Sequence, residues 1–72
     1  MPKGIDRLTL EKVRHLLQEQ QDGITAEALG KQFGASRTTS RRYLEYLISI
    51  DEAKAELEYG IVGRPERKYW KL

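Results

Sequence analysis

The chain of 72 residues carries 13 lysines and arginines against 11 aspartates and glutamates, a formal net charge of +2, and its length allows one small domain. With no cysteine and one histidine, it has no disulfide framework and no thiolate metal site, and a zinc site is not expected. No apolar run is long enough to span a membrane and no signal peptide is visible, so we expect a soluble, cytoplasmic domain without membrane contact.

The first six residues and the helix after them differ in pattern. Residues 1–6 contain a proline, a glycine and no periodicity, and we interpret them as a linker remnant before a domain that covers residues 7–72. From Thr9 onward the apolar positions follow a helical period, and they are Leu10, Val13, Leu16 and Leu17. Either Thr9 or Asp6 is suited to cap this first helix, and the Asp-Gly pair at 22–23 is expected to end it.

A short second helix follows an isolated apolar residue. Ile24 predicts a very short strand, and Thr25 is suited as the N-cap of a helix over residues 26–33. Its inward side chains are predicted to be Ala28, Leu29 and Phe33. The next residues, Gly-Ala-Ser at 34–36, are too few for anything but a tight turn into a third helix. Two helices joined in this way, the second one basic, are typical of a helix-turn-helix.

The third helix, predicted over residues 36–50 with Ser36 as its N-cap, holds the net charge of the chain. Residues 1–34 and 51–72 each balance five positive side chains against five negative ones, which leaves three arginines and one glutamate between them. A helical projection places four residues on the core side, and they are Ser40, Leu44, Leu47 and Ile48. Arg42 projects opposite them, with Arg37 and Arg41 at the flanks. Such a helix is held by its C-terminal half and offers its N-terminal half to an anion.

Beyond residue 51 the period changes from helical to alternating. Apolar residues alternate with charged ones and predict a half-buried strand, at positions Ala53, Ala55, Leu57 and Tyr59. Gly-Arg-Pro at 63–65 marks a loop, and a second strand is predicted over residues 67–72. Tyr69 and Trp70 are adjacent and must point to opposite faces, and the sequence leaves open which of them is buried. Tyr43, Tyr59 and Trp70 are predicted to be mainly core residues. The predicted fold is mainly α with α+β character: a winged helix-turn-helix of three helices followed by a two-stranded β-hairpin wing.

The side chains at the start of the third helix suit major-groove recognition. Arginine donates to guanine O6 and N7, threonine meets a thymine methyl or a phosphate oxygen, and a helix N-terminus favours phosphate. We therefore predict a DNA-binding set made up of Ser36, Arg37, Thr38, Thr39, Arg41 and Arg42. Within it, Arg37, Thr38 and Arg42 are assigned to bases, and Thr39 and Arg41 to phosphates. The alternative interpretation is a solvated helix face with pairs such as Arg41–Glu45.

The hairpin supplies a second candidate set. A basic hairpin tip beside a recognition helix can reach the adjacent minor groove or the backbone, and the candidates are Arg64, Arg67 and Lys68. The alternative is a turn with solubilising charges.

Two other classes of function fit the sequence less well than DNA binding does. An enzyme is not expected, because the chain has no glycine-rich phosphate cradle and too little length for a pocket; no cofactor and no metal are predicted either. A winged helix used for protein–protein contact should carry an apolar or acidic outward face on its third helix. The outward face here is rich in arginine and threonine, which favours DNA.

Three runs of residues also resemble a known family. They lie at 41–47 (Arg-Arg-Tyr-Leu-Glu-Tyr-Leu), 56–60 (Glu-Leu-Glu-Tyr-Gly) and 63–69 (Gly-Arg-Pro-Glu-Arg-Lys-Tyr). They resemble the C-terminal output domain of response regulators in two-component systems, of the type that answers to citrate and C4-dicarboxylate sensor kinases. Residues 2–10 resemble the junction leading out of the receiver domain of these proteins.

The resemblance implies a bacterial transcription factor that binds promoter DNA as a dimer driven by receiver phosphorylation. It also implies DNA contacts by the helix at 36–50 and by the wing at 60–67. No phosphoacceptor aspartate can be assigned in this chain, so the receiver domain and sensor kinase are implied upstream of it.

Overall fold

A computed structural model describes residues 2–59 and 65–72 of the chain. Three helices lie in the described part, and they are α1 (Arg7–Gln18), α2 (Ala26–Phe33) and α3 (Arg37–Ser49). The strands described are β1 (Ile24–Thr25), β2 (Ala53–Tyr59) and β3 (Pro65–Lys71). The predicted winged helix-turn-helix is thereby confirmed. No helix in these two ranges is long and apolar enough to cross a membrane.

Each helix begins at a side chain that accepts a hydrogen bond from a free backbone N–H. Asp6 accepts from the N–H of Thr9 at 2.9 Å, which decides between the two predicted caps of α1. Thr25 and Ser36 cap α2 and α3 in the same way, each at 3.1 Å. Such caps satisfy donors that have no partner within the helix. Two hydrogen bonds from Thr9 hold the pKa of Asp6 below its ordinary value.

The C-terminal end predicted from the sequence is correct for α2 and wrong for α1. α2 ends where predicted, because Gly34 adopts a positive φ of 75° that glycine tolerates without strain. α1 ends at Gln18, earlier than the Asp-Gly pair at 22–23 predicted. The chain from 19 to 23 instead forms turns held by backbone hydrogen bonds, such as the one from Gln20 N–H to Leu17 O at 3.1 Å.

The hairpin is part of a three-stranded antiparallel sheet in the order β1-β3-β2. The short strand predicted at Ile24 exists, and Ile24 pairs with Tyr69. Tyr69 also lies opposite Ala55 in the register between β2 and β3. The third strand of the domain is therefore its central one, and it ties the helical half of the chain to the hairpin.

The core lies between the helices and one face of this sheet. Its buried apolar side chains come from every element, and they are Leu10, Val13, Leu17, Ile24, Ala26, Leu29, Tyr43, Leu44, Leu47, Ala53 and Tyr69. Of the adjacent aromatic pair, Tyr69 is 1% exposed. Trp70 is only half-buried, on the opposite face of the strand.

Three residues predicted to face inward lie at the surface. Leu57 and Tyr59 are 54% and 75% exposed, because β2 runs on beyond the helices that cover its first residues, so the alternation continues where nothing packs against it. Ala28 is also exposed, and α2 instead buries Ala26, Leu29 and Gly30. The inward face of this short helix is thus set by contact with α3.

The predicted linker ends in contact with the domain. Ile5 packs against the core. The backbone N–H of Asp6 donates to the hydroxyl of Tyr43 on α3 at 2.8 Å. A turn precedes this contact, with a hydrogen bond from Ile5 N–H to Pro2 O at 3.3 Å. The chain therefore reaches α1 along the side of α3.

Candidate nucleic-acid interface

The corner between α2 and α3 depends on a close approach at Gly30. A Cβ at this position would lie 2.5 Å from the carbonyl oxygen of Ala35 and 2.8 Å from the hydroxyl oxygen of Ser40. The N–H of Ala35 donates to Gly30 O at 2.9 Å, and the fully buried Ser40 donates to Ser36 O at 2.9 Å. The start of α3 is thus held against α2 through small residues and hydrogen bonds, which fixes the angle at which α3 leaves the turn.

α3 has an anchored face and a free face. Tyr43, Leu44 and Leu47 are buried in the core. Most of the side chains predicted to contact bases and phosphates are accessible. Arg37, Thr38, Arg41 and Arg42 are exposed, and Thr39 is half-buried. No salt bridge involves these three arginines within the part of the chain that the structure describes. The first turns of α3 therefore present free cations, as DNA binding requires.

The two hydroxyl groups at the start of α3 have a structural role. Ser36 accepts from the N–H of Thr39 and donates to its hydroxyl oxygen, both at 3.1 Å. Both residues remain at the surface beside the helix N-terminus, where backbone N–H groups and the helix dipole favour an anion.

Glu45 connects α3 to the wing. It lies near the middle of α3 and accepts hydrogen bonds from the hydroxyl of Tyr69 at 2.6 Å and from Nε of Arg67 at 3.0 Å. Arg67 Nε also lies 3.2 Å from the Tyr69 hydroxyl. Glu45 thus bonds to a residue 22 positions away in the chain, and not to Arg41 as the alternative interpretation of a solvated helix face would have it. This cluster of three side chains fixes the hairpin beside the recognition helix.

The same cluster sets the ionisation of its members. Burial acts most strongly on Glu45 and disfavours its charge, but the hydrogen bonds from Tyr69 and Arg67 outweigh it, so the pKa of Glu45 lies below its ordinary 4.5. Burial raises the pKa of Tyr69 above 10, and the bond to Glu45 adds to this. The phenol therefore remains a neutral donor and the carboxylate a charged acceptor at neutral pH.

We expect acid to weaken the tie between α3 and the wing. Because the folded-state pKa of Glu45 is lowered, its stabilising contribution is complete above about pH 4.5 and is lost as the pH falls through the lower folded value. The Glu45→Gln variant should lose less of its unfolding free energy than the wild type between neutral pH and pH 3. Urea unfolding across this range measures the difference, and parallel curves would contradict the role of Glu45.

The two described wing candidates lie on opposite faces of β3. Arg67 pairs across the hairpin with Leu57, on the face that bears Tyr69 and turns toward α3. Lys68 pairs with Glu56 on the other face, and its Nζ lies 2.9 Å from Glu58. Neighbouring strand residues always diverge in this way, so the structure does not bring Arg67 and Lys68 together. The third wing candidate, Arg64, lies outside the described residues.

The sequence did not predict that Gly4 contacts a residue of the proposed DNA-binding set. Gly4 has a φ of +86°, and a Cβ there would lie 3.3 Å from Cδ and 3.4 Å from an Nη atom of Arg42. The Pro-Lys-Gly-Ile turn at residues 2–5 therefore lies against the outward arginine of α3. A glycine with positive φ at the third position of a turn is a common turn pattern, but only the folded chain shows what the turn touches.

A family comparison agrees with this geometry. The model of the DpiA-like helix-turn-helix domain matches residues 8–71. The chain belongs to this family. It therefore has a helix-turn-helix of the kind found in transcriptional regulators, which supports DNA binding.

Curated relatives of this DpiA-like domain are transcriptional regulators. The transcriptional regulatory protein CitT of Bacillus subtilis (strain 168) is 61% identical over 70 residues, which cover 97% of this chain and 31% of that protein. The transcriptional regulatory protein DpiA of Escherichia coli (strain K12) is 49% identical over 69 residues, covering 96% and 30%. The probable C4-dicarboxylate response regulator DctR of Priestia megaterium is 44% identical over 69 residues, again covering 96% and 30%.

These matches confirm the resemblance to response regulators of the citrate and C4-dicarboxylate type. The chain spans about 31% of the length of CitT and 30% of the lengths of DpiA and DctR. The match covers both strands of the hairpin and all of the three helices except Arg7, the first residue of α1.

Proposed function

We propose that this DpiA-like domain binds double-stranded promoter DNA in a sequence-specific way, as the output domain of a bacterial response regulator. α3 enters the major groove, and the β2–β3 hairpin lies on the adjacent backbone or minor groove. One observation carries the proposal: the N-terminal half of α3 carries exposed arginines, while the apolar side chains of its C-terminal half are buried or half-buried. An α-helix fits the major groove of B-DNA, and this one is anchored so that only its basic half can enter.

Within α3 the proposed contacts divide by direction. Arg42 lies opposite the buried Leu44 face and is assigned with Arg37 and Thr38 to base edges. Arg41 stands at the flank and is assigned, with the half-buried Thr39, to phosphates. Ser36 is the N-cap of α3, and in the proposed complex it lies where the N-terminus of the helix approaches the DNA backbone. Phosphate contacts set the register on the duplex, and base contacts set the sequence.

In the wing, the proposed contacts come from the face that turns toward α3. Arg67 is on this face and, at 40% side-chain exposure, remains open to a phosphate while bonded to Glu45. Arg64 belongs to the proposed set because it lies between β2 and β3 in the sequence. Lys68, on the opposite face and bonded to Glu58, is the least supported of the three.

The remaining parts of the proposal concern the whole protein. By analogy with its relatives, we propose that the chain acts beside a receiver domain, that phosphorylation by a sensor kinase drives dimerisation, and that the dimer binds two half-sites. A protein that binds promoters in a bacterium works in the cytoplasm, where the chromosome lies. Half-site spacing then follows from the symmetry of the dimer.

We expect the 72-residue chain to bind duplex DNA with an affinity that falls steeply with salt. Each phosphate neutralised by a lysine or arginine contributes about −0.9 to the slope of log K against log salt. Fluorescence anisotropy with a labelled duplex between 50 and 200 mM salt, roughly the range in which such effects are large, measures this slope. No binding at low salt, or a flat dependence, would contradict DNA binding and favour a protein-interaction module. Selection from random duplexes then yields the site, its symmetry and its spacing.

A further inference from the structure

The chain entering the domain touches the recognition helix at two points. Gly4 lies directly beside the side chain of Arg42, which a Cβ at Gly4 would meet at 3.3 Å (Cδ), 3.4 Å (Nη1) and 3.6 Å (Nε). Two residues later, the N–H of Asp6 donates to the hydroxyl of Tyr43 at 2.8 Å. Tyr43 is 4% exposed and follows Arg42 directly in α3. The turn is therefore held to the same part of the helix that carries Arg42.

The contact restricts Arg42 without covering it. Arg42 is exposed, and no salt bridge is seen for it among residues 2–59 and 65–72. The Gly4 turn lies against one flank of its side chain. A free arginine side chain loses much rotational entropy when it binds. A side chain already confined on one flank loses less, which raises affinity. The backbone of Gly4 offers a flat surface for this, because it has no Cβ.

We propose that the turn at residues 2–5 is a positioning element for DNA recognition, with Gly4 holding the Arg42 side chain in the orientation in which it contacts a base. The inference rests on the proposed function. It adds Gly4, which lies outside the helix-turn-helix and the wing, to the residues that determine DNA recognition. Since the turn leads into α1, a displacement of the entering chain is transmitted to base recognition through Arg42.

A double-mutant cycle tests the coupling. Gly4→Ala places a methyl group against Arg42 Cδ and should weaken binding to the selected duplex by about two- to tenfold, the range expected from ordering one long side chain. In the Arg42→Ala background the same change should have less than about a twofold effect. Gly34→Ala is the matched control: Gly34 also has a positive φ, 75°, but its Cβ would meet nothing within 4 Å. Its effect should be the same in both backgrounds.

Tyr43→Phe provides a second variant that leaves Gly4 intact. It removes the hydroxyl that accepts from Asp6 and should show the same dependence on Arg42. Additive effects of Gly4→Ala and Arg42→Ala, or of Tyr43→Phe and Arg42→Ala, would overturn the proposal while leaving DNA binding established.

A spectroscopic measurement on the free protein tests the positioning of Arg42 separately from DNA binding. The Nε–Hε resonance of Arg42 should shift on Gly4→Ala and on Tyr43→Phe, and it should stay in place on Gly34→Ala. This result supports the positioning contact whether or not DNA binds, and an unmoved resonance in both variants overturns it.

Discussion

Arg42→Ala should weaken binding to the selected duplex by about 1–3 kcal/mol, the usual cost of losing a specific arginine–base contact. Arg42 is exposed on the side of α3 away from the buried Leu44, so its removal should leave the core unchanged. The loss should be concentrated at one base pair of the site, with little change on random DNA. Competition with single-base variants of the duplex measures both effects.

Two further variants serve as controls for Arg42→Ala. Lys71→Ala removes the same charge at the opposite end of the hairpin from its loop, where Lys71 pairs with Ala53, and should have little effect on binding. Arg41→Ala, assigned to a phosphate, should weaken binding to all sequences about equally and reduce the salt slope by about 1. An equal loss on cognate and random DNA for Arg42→Ala would reassign Arg42 to the backbone.

Gly30→Ala should destabilise the fold by about 1–2 kcal/mol. The added Cβ would lie 2.5 Å from a backbone oxygen, that of Ala35, which cannot move without opening the turn between α2 and α3. Overpacking of this kind costs roughly 1–3 kcal/mol, and the better helix propensity of alanine offsets about 1 kcal/mol at most. For a domain of this size, the melting temperature should fall by about 10 °C, which calorimetry measures.

The control for this substitution lies on the same helix. Gln32→Ala changes an exposed position of α2 and should alter the melting temperature little. A Gly30→Ala variant as stable as the wild type would mean that α3 can move away from α2 without loss. Since the corner orients α3, Gly30→Ala should also weaken DNA binding more than its stability loss alone explains.

Local chemistry accounts for the parts of the fold that were predicted well. Thr25 and Gly34 mark both ends of α2 by interactions within a few residues, a cap at one end and a positive φ at the other. Ser36 does the same for α3. The helical projection also placed Ser40 correctly on the buried side, where it is 0% exposed. These features depend on neighbours along the chain, which a sequence displays directly.

Features that depend on tertiary neighbours could not be predicted from the local sequence. Alternation along β2 indicates which face Tyr59 lies on, but not that the helices end before they cover it. Glu45, which the alternative interpretation paired with Arg41, bonds to Arg67 and Tyr69, because the hairpin folds back against α3. The contact between Gly4 and Arg42 likewise joins positions that sequence spacing does not relate.

The central position of β3 has a consequence for how the protein becomes active during its own synthesis. β1 and β2 both pair with β3 and not with each other, so each remains an unpaired edge until residues 65–71 leave the ribosome. α3 with its arginines is made well before Tyr69 and Arg67, the side chains that fasten it to the wing. A nascent chain therefore exposes a basic helix without its support. The two elements that we propose to contact DNA acquire their mutual geometry only when β3 is in place.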